Sequence, residues 1–172
     1  MKKVLFLISG ILVFYLMIGH VSSLVIPTEA LRIRVIANSN SEYDQSVKNV
    51  VKDNIQFKLY DLLKDTKGIV EARSVINNNL PNINNEVDKI LKDINYELGY
   101  DVNFGFNYFP SKEYKGTIYE EGYYESLVIT LGEGKGDNWW CVLFPPFCLL
   151  EAEESDDIEY TSFIKELIQK YL

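Results

Sequence analysis

Between Leu31 and Ala37 the apolar residues Leu31, Ile33, Val35 and Ala37 alternate with Arg32, Arg34 and Ile36. A period of two sends alternate side chains to opposite faces, so this segment reads as a strand with one buried face and both arginines on the other. The period then changes. Val47, Val50, Val51, Ile55, Leu59, Leu62 and Leu63 recur at three- and four-residue intervals, the spacing of one apolar helix stripe. Asn38-Ser39-Asn40 supplies turn chemistry ahead of it, and Ser41 with Asp44 three residues on resembles a capping box with a shortened acid. Helical spacing resumes over Ile69 to Leu80 and again from Asn82 to a stop near Gly99, with Pro81 between them. One kinked helix and two separate helices both fit that pattern. Alternation returns at Val102, Phe104, Phe106 and Tyr108, then in Leu127 to Leu131 and in Trp139 to Phe144, before Pro145-Pro146 ends the pairing.

A strand, a long helical stretch and three later strands predict an α+β fold. Its sheet is expected to be mixed and largely antiparallel, with about four strands and two or three helices packed on one face. With 47% hydrophobic and 24% charged residues in 172, the chain can build a core without metals or disulfides. Ahead of the domain, Met1-Lys2-Lys3 is a positive start, Val4 to Ile18 is apolar, and Val21-Ser22-Ser23 offers small residues at a cleavage position. The sequence therefore divides into a signal peptide or membrane anchor over 1–23, a single α+β domain over 25–150, and an acidic linker with a short amphipathic helix over 151–172. That last helix, with Ile164, Leu167, Ile168 and Tyr171 on one side, is expected to dock on the domain. An uncleaved first segment would hold the protein at a membrane.

Charge and residue usage remove several function classes. A formal net charge of -8 opposes nucleic acid and anionic lipid surfaces. The only histidine, His20, falls in the targeting segment. The domain thus has no imidazole for a serine or cysteine triad or for zinc, and no cofactor is expected. Cys141 and Cys148 stand seven positions apart, which fits neither a redox nor a zinc motif; a disulfide closing the Pro145-Pro146 loop and two buried thiols both remain open. Gly132-Glu133-Gly134-Lys135-Gly136 lies between two predicted strands and is read as a hairpin turn rather than a phosphate loop. A carboxylate pair such as Asp44 and Glu125 is the one enzymatic option left, as acid and base of a cell-wall hydrolase.

Contact residues are the better reading. Arg32 and Arg34 share a strand face, where they are either solvated or grip an acidic partner. Trp139 and Trp140 are adjacent in a strand and must point to opposite faces, leaving one near the surface. Tyr114, Tyr119, Tyr123 and Tyr124 crowd the preceding loop, in a chain with 12 tyrosines.

Two segments, Ile26 to Ser41 followed by Asp44-Gln45, and Asn138-Trp139-Trp140-Cys141-Val142-Leu143-Phe144-Pro145-Pro146-Phe147-Cys148, resemble the stage II sporulation protein R family. Phe109-Pro110, Lys112, Tyr114, Gly122, Tyr124, Glu125, Leu127 and the three glycines at 132, 134 and 136 fit the same pattern. Lys115, Glu120-Glu121 and Val128 depart from it. The resemblance implies a protein made in the forespore and exported to the space between the two membranes of a sporulating cell. There it would be sensed by a membrane-embedded aspartic protease that matures a sigma factor. On that reading the protein is not an enzyme, and Arg32, Arg34, Asn38, Asn40, Tyr114, Glu125, Asn138, Trp139 and Trp140 are the candidate partner-binding residues. A structural protein of a spore layer is the remaining alternative.

Overall fold

A computed structural model describes residues 29–114 and 117–145, with the side chains of 113, 114, 117 and 118 outside the description. The elements run β1 (Leu31–Ile36), α1 (Glu42–Leu63), α2 (Ile69–Asp93), β2 (Tyr100–Phe109), β3 (Lys112–Tyr114), β4 (Thr117–Tyr119), β5 (Gly122–Leu131) and β6 (Asn138–Phe144). The expected signal, the acidic linker and the terminal helix lie outside the described residues.

Four strands form one mixed sheet in the order β2-β5-β1-β6, and β3 pairs with β4 in a small separate ribbon. The α+β class is as expected from the alternation and its interruption. β1 runs parallel to β5, with Ile33 opposite Leu127 and Val35 opposite Ile129. It runs antiparallel to β6, with Ile33 opposite Cys141 and Val35 opposite Trp139. β2 and β5 form a long antiparallel pair from Tyr100 opposite Leu131 to Phe109 opposite Gly122. Leu31, Ile33 and Val35 on β1 and Leu127, Ile129 and Leu131 on β5 face the helices. Against them lies a single stripe on α1 at four-residue spacing, namely Val47, Val51, Ile55, Leu59 and Leu63, all buried. Val50, although apolar, is 37% exposed on the outer side, because a position three residues from Val47 already drifts off the stripe.

One open alternative is settled and two expectations change. The stretch with Pro81 is one helix: α2 continues from Ile69 to Asp93 through it. Pro81 has no N–H to give the Asn77 carbonyl, but both residues are exposed, so water serves that carbonyl and the helix survives. The glycine-rich segment is not a hairpin turn. β1 is inserted between β5 and β6, so residues 132–137 cross over the C-terminal end of β1 instead of reversing the chain on itself. The expected loop of tyrosines is also more regular than its sequence suggests. Tyr123 and Tyr124 belong to β5, which starts at Gly122, and Tyr119 belongs to β4.

Candidate binding face

The crossover loop explains the Asn-rich turn after β1. Lys135 N–H donates to the Asn38 carbonyl at 3.0 Å and Gly136 N–H to the Ala37 carbonyl at 2.9 Å. The Asn38 side chain accepts from Glu133 N–H at 2.9 Å and donates through Nδ2 to Asp44 Oδ2 at 2.9 Å. Asn40 Oδ1 accepts from Asp137 N–H at 2.6 Å. The loop packs so closely that a Cβ at Gly136 would collide with the Ser39 carbonyl, and one at Gly132, which has a φ of +55°, with Asn38 Oδ1. Only glycine fits at both positions. A shallow hollow of about 480 Å³ opens beside this loop, and Glu133 and Lys135 on its rim pair with each other at 2.6 Å.

Asp44 is buried at 6% exposure beneath the loop. Ser41 caps α1 by accepting from Asp44 N–H at 3.1 Å. The Asp44 carboxylate does not return to Ser41 as in a capping box; it accepts from Ser39 Oγ at 2.5 Å and from Asn38. Those hydroxyl and amide donors hold its pKa below the usual carboxylate value. Glu125 lies at the opposite end of the sheet, one residue before the partner of Arg32. It takes a bidentate ion pair from Arg73 of α2, at 2.6 and 2.7 Å. Six strand residues of about 3.3 Å each separate the levels of these two acids, far more than a pair of hydrolytic carboxylates spans. Asp44 and Glu125 therefore do not face one another across a cleft.

The arginines occupy the sheet face away from the helices, together with Tyr124, Ser126 and Val128 of β5 and Trp140 and Val142 of β6. The expectation of solvated side chains is corrected here. Arg32 is only 9% exposed, with its guanidinium 3.4 Å from the centroid of the Tyr124 ring. Arg34 lies 5.6 Å from both the Phe109 and the Trp140 ring centroids. Phe109 meets Trp140 edge-on at 5.1 Å and Tyr124 at 5.9 Å, so three rings wall in two cations. Lys112 Nζ sits 4.8 Å from the Trp140 centroid at the outer side. Burial pushes the pKa of Arg32 and Arg34 downward, and among the described residues neither has a carboxylate partner. Arg34 Nη1 donates to the Tyr108 carbonyl at 3.3 Å. Among the described residues, Arg32 Nε, Arg34 Nε and Trp140 Nε1 are buried donors with no acceptor.

Of the sequence candidates, Arg32, Arg34 and Trp140 thus come together, with Asn138 farther along the same face opposite Ile36. Trp139 turns to the helix side, where Lys52 Nζ of α1 is 5.8 Å from its ring. Asn38, Asn40 and Glu125 are committed to intramolecular bonds. Tyr114 is in β3, with its side chain outside the description. Cys141 faces the core side and is disulfide-bonded; Cys148 lies outside the described residues. Phe109 was missed as part of the cluster, since nothing local distinguishes it from the other aromatics of an alternating strand.

Fold and face together define a small mixed-sheet α+β domain that carries a cation–aromatic cluster on the side of the sheet away from its helices. Among the described residues no helix is long and apolar enough to cross a membrane, and no group of three or more acids, histidines and cysteines forms a metal site. The sequence profile of the stage II sporulation protein R family matches residues 27–154, and the chain belongs to that family. It is 38% identical over 135 residues to stage II sporulation protein R of Bacillus subtilis strain 168. That match spans 78% of this chain but only 60% of the relative. No solved structure matches.

Proposed function

We propose that this sporulation protein is an exported signal of endospore formation. It leaves the forespore, binds the extracytoplasmic part of a membrane-embedded aspartic protease, and shifts that protease toward the arrangement that matures a pro-sigma factor. Family membership across residues 27–154 is the observation that carries this reading. A positive and then apolar N-terminus supports export. A non-catalytic role is supported by the polar clusters of the domain: Asp44 and Glu125 are each spent on holding the fold. Activation by binding requires that the protein prefer the active arrangement of its partner over the inactive one.

The test is reconstitution in a non-sporulating host that makes the exported protein, the protease and the sigma-factor precursor. Precursor shortening on a gel is expected with the exported form and not with a form lacking residues 1–23. If all three proteins are present, the signal is folded, and the precursor stays full length, the activating role is wrong. Release of soluble fragments from purified cell wall would then favour a hydrolase that uses carboxylates other than Asp44 and Glu125.

A further inference from the structure

Three donors on one sheet face lack acceptors among the described residues, and all three are N–H groups: Arg32 Nε, Arg34 Nε and Trp140 Nε1. They are neighbours by construction, because Arg34 and Trp140 are opposite one another across β1 and β6, and Arg32 is two residues along the same strand. Lys112 extends the positive charge over the outer edge of Trp140. Buried donors without acceptors are costly, and buried guanidinium groups normally find a carboxylate. The fold itself shows that alternative: the chain's third arginine, Arg73, is engaged bidentately by Glu125. A cluster of uncompensated cations is all the more conspicuous in a chain of net charge -8. β6 is also an edge strand, pairing only with β1 among the described residues.

We propose that the Arg32–Arg34–Trp140 face, with Lys112 at its rim, is a carboxylate-binding site for an acidic, extended peptide segment of the protein's partner. Carboxylates of such a peptide pair with the exposed Lys112 and, as the Lys112 and Trp140 side chains shift, supply the acceptors that the three buried donors lack; the half-buried rings of Tyr124 and Trp140 give the peptide an apolar wall. Charge complementarity selects this occupant. A long polyanion such as nucleic acid would meet the repulsion of the whole acidic molecule, whereas a short acidic peptide meets mainly the local cluster within a Debye length. The edge of β6, unpaired among the described residues, offers main-chain groups to an extended segment alongside, as in strand addition. The identity of the partner rests on the activator reading given above; the chemistry of the site does not.

The direct test is a titration of the 15N-labelled full-length chain, held in a mild non-ionic detergent, with acetylated hexaglutamate amide. Its three arginines and two tryptophans give separate side-chain N–H signals, assigned by Arg→Lys and Trp→Phe variants. The expected result is a saturable shift of the Arg32, Arg34 and Trp140 signals with the Arg73 signal unmoved, weakened by salt and absent with hexalysine. Arg34→Gln should weaken binding by about tenfold or more. Lys112→Gln, at an exposed position that leaves the core intact, should weaken it by about two- to fivefold.

No saturable shift at millimolar peptide overturns the site. So does a response to phosphatidylglycerol vesicles alone, which would give the face to a membrane surface. If neutralising Glu151, Glu153, Glu154, Asp156 and Asp157 moves the Arg32 and Arg34 signals without any peptide, the face is filled by the chain's own acidic segment and the partner assignment fails. In the reconstitution, an Arg34→Gln protein that cannot bind hexaglutamate but still drives full precursor shortening sinks only this inference. A wild-type protein that binds hexaglutamate but never drives shortening sinks the activator reading and leaves the site standing.

Discussion

Asp44 is a carboxylate whose whole surroundings are donors, and its ionisation is tied to folding. Ser39 Oγ and Asn38 Nδ2 both bond the carboxylate in the native state and lower its folded pKa. A group with a depressed folded pKa adds stability above its unfolded value, near 3.9, and that contribution vanishes as pH falls through the folded value. Replacing Asp44→Asn should therefore lower the urea midpoint most above about pH 5, with the gap to wild type closing as pH falls below the ordinary carboxylate range. A gap that stays constant from pH 7 to pH 2 would mean the loss is one of shape and not of charge. Gly136 tests the same loop sterically. Its Cβ would meet the Ser39 carbonyl, so Gly136→Ala should cost about 1–3 kcal/mol in denaturant unfolding. The sequence made the turn chemistry of Asn38 and Asn40 legible but not their mates, Glu133 and Asp137, more than ninety positions away. A side chain that bonds distant backbone leaves no local signature, which is why these two asparagines read equally well as contact residues. Arg32 and Arg34 were legible as sharing a face, whereas their burial depends on Phe109 and Tyr124 from two other strands.

Pro81 sits within α2 on its exposed side, while Ile76 and Ile83 on either side of it are fully buried. Helical spacing continues across the proline because the apolar stripe that packs on the core continues across it, and tertiary packing outweighs the lost hydrogen bond. Proline in an exposed helix interior is less favourable than alanine by up to about 3 kcal/mol. Pro81→Ala is accordingly expected to stabilise the protein by about 1–3 kcal/mol and to raise its urea midpoint. A fall in the midpoint would instead mean that a bend at Pro81 is needed to seat Ile76 and Ile83. Helix existence was readable from period alone here, but continuity was not, since only the exposure of Asn77 decides whether its carbonyl tolerates a missing donor. The strands show a similar division. The alternation from Val102 to Tyr108 is plain, whereas the first half of β5 mixes Tyr123, Tyr124, Glu125 and Ser126. Its polar members there face Arg73 and Asn107, partners that alternation cannot reveal.

β1 is the first strand of the sheet in sequence and lies between the last two. Its parallel partner β5 begins at Gly122 and its antiparallel partner β6 ends at Phe144, so the buried row of Leu31, Ile33 and Val35 cannot be closed until nearly all of the described chain exists. Strand order was the part of the architecture that sequence could not supply: the glycines between β5 and β6 look like a hairpin until β1 is known to lie beneath them. Such non-local pairing delays folding, because loop closure must precede the contacts that reward it. It follows that a chain ending at Gly136, which keeps both helices and β5 but lacks β6, should show no cooperative thermal transition by circular dichroism. A chain lacking only residues 1–23 should melt cooperatively, because every described core residue remains. If the form ending at Gly136 melted cooperatively, β1 and β5 with the helices would form a folding unit by themselves, and β6 would be a later addition. A fold that needs its last strand to hold its first also suits the proposed export: the N-terminal portion would reach the translocation machinery while its central strand still has no neighbours.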